Sequence, residues 1–129
     1  MLNRLLSPHA DRAYALLRIV AGLLLACHGA QKMLGLFGGS LPPDLQHRVG
    51  GVIELVCGVL VAIGLFTRWA AFLASGTMAV AYVQFHWVRQ GEFFPILNKG
   101  ELALVYAFLF LYVACRGPGP ASVDAATSR

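Results

Sequence analysis

The chain has 129 residues, of which 58% are hydrophobic and only 12% are charged, and its formal net charge is +4. Soluble domains are roughly 45–50% apolar and about 25% charged, and one this short would leave a large apolar patch facing water. The composition therefore predicts a single domain inside a lipid bilayer. Lys and Arg bracket apolar runs and form no basic stripe, which argues against nucleic acid as a partner.

Four apolar stretches follow one another along the chain, over residues 13–33, 49–66, 69–87 and 100–115. A helix needs about 20 mostly apolar residues to cross a hydrocarbon core of about 30 Å, so each stretch predicts one spanning helix. Glycine, proline and polar residues separate the stretches, and only a dipeptide divides the second from the third. The predicted fold is all-α, a four-transmembrane-helix antiparallel bundle.

The flanking segments differ in composition from these stretches. Residues 1–12 form a short amphipathic segment that we expect at the membrane interface on the cytoplasmic side. Residues 117–129 begin with Gly-Pro-Gly-Pro and continue mostly with small residues, which predicts a flexible tail. The expected organisation is therefore an interfacial segment, a four-helix membrane domain over residues 13–116, and a C-terminal tail.

Basic residues near the ends of the stretches indicate the orientation of the bundle. An even number of spans places both termini on one side, and that side carries five Lys or Arg residues against four on the other. Cytoplasmic loops of membrane proteins carry the excess of basic residues. Both termini are therefore expected in the cytoplasm.

Polar residues gather where four segment ends meet at one membrane face. The end of the first stretch, the start of the second, the end of the third and the start of the fourth share a depth in an antiparallel bundle. Those ends carry His28, Lys32, Glu54, His86, Asn98, Lys99 and Glu101. Ionisable residues within spanning segments are costly and need partners, so they are functional candidates. The pattern predicts a polar site between the four helices.

Roles within this site follow from side-chain chemistry. We assign catalytic roles to His28, Lys32, Glu54 and Glu101. The candidates for binding a cofactor are His86, Asn98, Tyr82 and Arg18. Arg18 lies several turns away, where pairing with a backbone carbonyl of the second or third helix, or snorkelling to the interface, is the alternative.

Two other interpretations of the polar layer stay open. In the first, the layer is a structural network in which Lys32 neutralises Glu54 or Glu101. In the second, histidines and glutamates from four helices bind a metal, as in some bundle cores. The Glu-x-x-His pattern of di-iron bundles is missing and Lys32 competes for the carboxylates, so we predict no metal site. The three cysteines form no Cys-x-x-Cys motif, which argues against a zinc ribbon.

These motifs, in this order and spacing, resemble the DoxX family of small bacterial membrane proteins. The resemblance covers residues 12–124. It is carried by Arg18, His28-Gly29-Ala30-Gln31-Lys32, Gly51-Val52-Ile53-Glu54, Gly58, Gly64-Leu65-Phe66-Thr67-Arg68, Met78, His86, Asn98-Lys99-Gly100-Glu101 and Gly117-Pro118-Gly119. It implies a multi-pass, four-helix protein of the bacterial inner membrane. Some relatives are similar to the small subunits of thiosulfate:quinone oxidoreductase, and others are associated with membrane redox complexes that handle thiol and superoxide stress.

Three functions fit these observations. The first is a redox-linked membrane subunit, with a quinone as the candidate cofactor and a partner protein that supplies electrons. His28 and His86 would donate hydrogen bonds, Lys32 would stabilise negative charge, and Glu54 or Glu101 would relay protons. The second is a non-enzymatic anchor or assembly partner of a redox complex. The third is a carrier, for which a homodimer would enlarge the cavity.

Overall fold

The computed structural model describes residues 1–128, and within that range the regular structure is helical, with no β-strand. The α-helices are α1 (Leu2–Leu6), α2 (Ala10–Leu34), α3 (Leu45–Ile63), α4 (Thr67–Ala81), α5 (Pro95–Asn98), α6 (Glu101–Arg116) and α7 (Val123–Thr127). Short 3-10 turns occupy Ser7–His9 and Leu36–Gly38, and a π-helical segment, Tyr82–Val88, continues α4. The predicted all-α class is therefore confirmed.

Two helical stretches are long and apolar enough to cross a membrane, Leu2–Leu34 and Leu45–Ile63. The first has 33 residues and measures about 50 Å at roughly 1.5 Å per residue, so it is longer than a bilayer core. Its first 12 residues, 2–13, are exposed. The third and fourth predicted spans correspond to α4 with its π-helical continuation and to α6, which has 16 residues. That these two also cross the bilayer stays a prediction.

The ends of the helices follow from local sequence. The side chain of Asp44 accepts a hydrogen bond from the backbone N–H of His47 at 2.9 Å and caps the start of α3. Gly64 ends α3 with a φ of +72°, a left-handed conformation that glycine adopts without steric cost. Only three residues then separate α3 from α4. The two helices are therefore antiparallel neighbours.

Helices α2 and α3 pack closely because glycines line the seam between them. A Cβ atom on Gly29 would lie 2.2 Å from the backbone nitrogen of Leu55, and one on Gly58 would lie 2.4 Å from that of Ala26. Small residues at a membrane helix interface permit this backbone approach. The paired positions run in opposite directions along the two helices, as the antiparallel prediction requires.

The second close pair is α4 with α6. The hydroxyl of Ser75 donates to the carbonyl oxygen of Ala107 at 2.6 Å, and the guanidinium of Arg68 donates to that of Ala114 at 2.9 Å. These contacts also run antiparallel. A buried core of apolar side chains joins the two pairs, and it includes Leu25, Val61, Ala71, Ala74, Phe110 and Val113.

The C-terminal segment, residues 117–128, packs against the bundle where the sequence predicted a flexible tail. Arg18 is fully buried, and its guanidinium donates to the carbonyl oxygens of Pro118, Pro120 and Ala121, the last at 2.6 Å. The hydroxyl of Tyr14 donates to the carbonyl oxygen of Gly117 at 2.6 Å. Backbone carbonyls of this segment thus supply the acceptors that a buried guanidinium needs.

Asp124 attaches the same segment to the start of α4. Its carboxylate accepts hydrogen bonds from the backbone N–H groups of Phe66 and Thr67, at 3.0 and 2.9 Å, and from the Thr67 hydroxyl at 2.8 Å. The first N–H groups of a helix have no partner within the helix. A carboxylate from a distant part of the chain therefore caps α4.

Candidate functional site

The four long helices are α2, α3, α4 with its π-helical continuation, and α6. A cavity of about 800 Å³ lies between them, at the end of the bundle away from Arg18. All four helices contribute to its wall, and most of the wall is apolar side chain or glycine. The wall residues that carry polar side-chain groups are His28, Lys32, Gln46, His47, Glu54, Thr77, His86, Lys99 and Tyr106. A largely apolar pocket with a few convergent polar groups is the usual form of a small-molecule site.

An ion pair between Lys32 and Glu54 forms part of this wall. The ammonium nitrogen of Lys32 lies 2.7 and 2.9 Å from the two carboxylate oxygens of Glu54. Glu54 is 5% exposed, whereas the Lys32 side chain is 33% exposed. Of the two partners that the sequence offered Lys32, the structure therefore selects Glu54. The pair compensates a buried carboxylate and leaves the ammonium group at the cavity.

His28 lies one helical turn before Lys32, as the spacing of four residues predicted. Its ring meets the ring of Tyr106 edge to face, with centroids 6.4 Å apart. Within residues 1–128 the imidazole makes no hydrogen bond of its own. Both ring nitrogens therefore remain available to a ligand in the cavity.

His86 enters the wall from the π-helical segment that continues α4. Its Nδ1 lies 3.1 Å from the carbonyl oxygen of Asn98. Because a carbonyl oxygen can only accept, Nδ1 carries the proton, and in the neutral ring Nε2 is left as an acceptor. The ring of Tyr82 stacks beside it with centroids 6.5 Å apart. Single π-helical turns occur frequently at functional sites.

Asn98 and Tyr82 lie behind His86 and outside the cavity wall. The Asn98 amide donates to the carbonyl oxygen of Glu92 at 2.8 Å and accepts from the backbone N–H of Gly100 at 2.8 Å. The Tyr82 hydroxyl donates to the carbonyl oxygen of Phe93. These side chains are satisfied within the chain and hold the connection between α4 and α6 in place.

Glu101 and Arg18 are also apart from the cavity. Glu101 is exposed and lies in the first turn of α6, where a carboxylate interacts favourably with the helix dipole. Arg18 lies at the opposite end of the bundle, and its Nε donates to the carbonyl oxygen of Val61 at 3.1 Å. Val61 belongs to α3, the second predicted span. Arg18 therefore pairs with a backbone carbonyl of that span, which was the alternative to a role in cofactor binding.

His47, which is not among the residues predicted from the sequence, lines the cavity from the first turn of α3. Its Nδ1 lies 2.7 Å from both carboxylate oxygens of Asp44, and its ring centroid is 4.2 Å from that of Phe85. Hydrogen bonds from the His47 backbone and side chain lower the pKa of Asp44. An aspartate three residues before a histidine, at a helix start, was the available signal.

The side chains of residues 1–128 include no cluster of the kind that binds a metal ion. No group of three or more His, Cys, Asp or Glu residues in that range is placed to hold a metal ion. The charged part of the cavity wall is built from ammonium, carboxylate and imidazole groups.

Comparison with known proteins gives both family and relatives. The DoxX family model matches residues 13–87. A Haemophilus influenzae protein described as uncharacterized is 45% identical over 116 residues, covering 85% of this chain and 87% of its own length. A Mycobacterium tuberculosis protein described as an uncharacterized membrane protein is 27% identical over 147 aligned positions, covering 98% and 88% respectively. No solved structure matches the chain significantly.

The matched region contains Arg18, Lys32, Glu54 and His86. The family predicted from the sequence motifs is therefore confirmed, and with it the bilayer as the surroundings of the apolar helix faces. The chain belongs to the DoxX family and is a membrane protein.

Proposed function

We propose that this chain is a redox-linked membrane subunit that binds a quinone headgroup in the cavity between its four long helices. The observation that carries the proposal is one cavity that combines an apolar wall with the Lys32–Glu54 ion pair, His28 and His86. Its volume of about 800 Å³ lies in the usual range for small-molecule sites, roughly 300–1,000 Å³.

The proposed chemistry is quinone reduction to quinol, which takes up two electrons and two protons. Electrons would come from a partner protein, since the chain carries no flavin or nicotinamide motif. His28 would donate a hydrogen bond to one quinone oxygen, and Lys32 would stabilise the negative charge that develops there. Glu54, bonded to Lys32 at 2.7 Å, would pass protons to the reduced ring. His86 would accept a hydrogen bond at Nε2 from a hydroxyl of the quinol, because its Nδ1–H is already donated to the carbonyl oxygen of Asn98.

The membrane arrangement belongs to the same proposal. All four long helices would cross the inner membrane of a bacterial cell, with α4 and its π-helical continuation as the third span and α6 as the fourth. Both termini would lie in the cytoplasm. The antiparallel packing of the four helices and the slight excess of basic residues on the side of the termini support this arrangement.

A specific observation favours a second candidate, a non-enzymatic anchor or assembly partner of a redox complex. The Lys32–Glu54 pair, Asn98 and Tyr82 satisfy one another or nearby backbone groups within the chain. Buried polar pairs of this kind hold the register of helices in some proteins. A stable partner chain that co-purifies, without bound quinone or redox activity, would favour this candidate.

The test is quinone binding to the purified full chain in lipid nanodiscs, measured by calorimetry with decylubiquinone. We expect His28→Ala and Lys32→Gln each to weaken binding by roughly fivefold or more, because each removes a proposed direct contact with a quinone oxygen worth about 1–3 kcal/mol. His9→Ala is the matched control, since His9 is exposed and lies outside the cavity. Equal affinity of the wild type and both cavity variants would rule the quinone site out.

A further inference from the structure

Lys99 occupies a backbone conformation that lysine disfavours. Its φ of +58° and ψ of +25° are left-handed, at the end of α5 and one residue before the cap of α6. A residue with a Cβ atom in this conformation costs about 1 kcal/mol relative to glycine. A cation next to the positive end of the α6 dipole is also unfavourable. Local structure therefore gives two reasons against a lysine here.

The Lys99 backbone N–H caps α5 by donating to the carbonyl oxygen of Pro95, but no interaction of its side chain offsets these two costs. The side chain is exposed and forms no ion pair and no hydrogen bond within residues 1–128. Lys32, the other lysine in the cavity wall, is neutralised by Glu54 at 2.7 Å. Lys99 lines the same cavity, so two ammonium groups in the wall face a single carboxylate.

We propose that Lys99 is the residue that binds a negatively charged oxygen of an amphiphile in this cavity. The inference rests on the proposed function in placing the occupant in the same cavity. It adds that the occupant is an anion, or gains negative charge in the reaction. Residues that break local rules are expected where function requires them, and a ligand oxygen would supply the counter-charge that the chain lacks. In the quinone case, Lys99 binds the second quinone oxygen, which also gains negative charge on reduction and lies opposite the oxygen at His28 and Lys32.

A solvated lysine that only snorkels to the interface makes a different prediction from a ligand-binding one. Snorkelling needs no left-handed backbone. In that case Lys99→Gly would raise stability through relief of strain and would leave ligand binding unchanged. For a ligand-binding lysine, the same substitution relieves strain and removes affinity. Stability and binding then move in opposite directions, which a purely structural role does not produce.

The experiment compares charged and neutral probes of matched shape. The first pair is lapachol, a hydroxynaphthoquinone that is an anion at neutral pH, and its neutral counterpart with a methyl group in place of the hydroxyl. The second pair is decanoate and decanol. Binding to the full chain in zwitterionic nanodiscs is measured by calorimetry for the wild type, Lys99→Gly and Lys99→Met. Arg89→Met is the control, because Arg89 is an exposed cation close in sequence that does not line the cavity.

We expect both Lys99 variants to bind each anion about tenfold or more weakly than the wild type, the usual effect of losing a charged hydrogen bond. Each neutral probe should bind within roughly twofold of the wild type, because it loses no such bond. Lys99→Gly should melt at or above the wild-type temperature. Arg89→Met should bind all four probes as the wild type does.

Three results would overturn the inference. They are an equal loss for anionic and neutral probes, no loss for either, and a wild type that binds neither anion. Decanoate binding that depends on Lys99, without binding of either naphthoquinone, would uphold the inference and reject the quinone function. Binding of the neutral naphthoquinone alone would uphold the quinone site and reject Lys99 as its anion-binding residue.

Discussion

Arg18 and Lys32 are both cations on α2, 14 positions apart in the sequence, yet their surroundings differ. Arg18 is fully buried and donates only to backbone carbonyl oxygens, whereas Lys32 is one-third exposed and pairs with a carboxylate beside a cavity. Backbone carbonyls do not take up protons near neutral pH, and the fold holds them in place. The hydrogen bonds of Arg18 therefore have a single arrangement. A carboxylate and an ammonium group next to open space can exchange partners and protons. The difference separates an end of the bundle with fixed hydrogen bonds from an end whose charged groups border open space.

Removal of Arg18 tests this contrast with the largest expected effect. Arg18→Met leaves the carbonyl oxygens of Val61, Pro118 and Ala121 buried without a donor. We expect a loss of about 3 kcal/mol or more in the free energy of unfolding, because each buried acceptor left unsatisfied costs about 1–3 kcal/mol. Chemical denaturation of the chain in detergent micelles, with limited proteolysis of residues 117–128, measures it.

Arg18→Lys is the matched control, since it keeps the charge and loses the planar donor fork. We expect its free energy of unfolding to lie between those of the wild type and Arg18→Met. Ligand affinity of the folded fraction should stay at the wild-type level, because Arg18 is remote from the cavity. A lower affinity with unchanged stability would reverse the assignment of the two ends.

Two glycines provide a smaller and more local test. A Cβ on Gly58 would lie 2.4 Å from the Ala26 backbone nitrogen, whereas one on Gly76 would meet nothing within 4 Å. Gly58→Ala should therefore destabilise the chain by about 1–3 kcal/mol, as overpacking does. Gly76→Ala should stabilise it by up to roughly 1 kcal/mol through helix propensity. Thermal unfolding compares the two variants.

Gly76→Leu extends this test to the cavity, which Gly76 lines. The larger side chain should occupy the space and exclude a ligand while the fold persists. A Gly76→Leu protein that binds decylubiquinone as well as the wild type would show that the ligand binds elsewhere.

The smallest expected effect concerns pH at the Arg18 end. Burial alone would raise the pKa of Asp124, but hydrogen bonds from Thr67 and Phe66 and the charge of Arg18 together lower it. A lowered pKa means that Asp124 stabilises the folded chain above its unfolded pKa of about 3.9. That contribution is lost as the pH falls through the lower, folded value.

Asp124→Asn keeps an acceptor for the helix cap and removes the titration. Its melting temperature should be below that of the wild type near neutral pH, and the gap should narrow as the pH falls below the unfolded pKa of about 3.9. A gap that stays constant over this range would show that the cap acts without the charge.

The order and approximate positions of the four long helices could be predicted because apolar runs and glycine-rich separators are local signals. The antiparallel order also fixes the approximate depth of each polar residue, and His28, Lys32, Glu54 and His86 line one cavity. Depth does not fix the direction in which a side chain points from its helix. Glu101 therefore lies at the expected level and outside the cavity wall.

The partners of Arg18 could not be predicted from local composition. Glycine, proline and small residues after position 116 are typical of flexible tails, and nothing in them marks an acceptor for a guanidinium. The acceptors are backbone carbonyls, which every residue possesses. Only the tertiary fold shows that the carbonyls of Pro118, Pro120 and Ala121 meet Arg18.

The contact between Arg18 and Pro118 joins residues 100 positions apart in the chain. Synthesis at roughly 5–20 residues per second therefore leaves on the order of 5–20 s in which the guanidinium has none of these acceptors. An arginine at the centre of an inserting helix costs about 2.5–3.5 kcal/mol. The first helix of a nascent chain therefore carries an arginine without these acceptors until residues 118–121 have been synthesised.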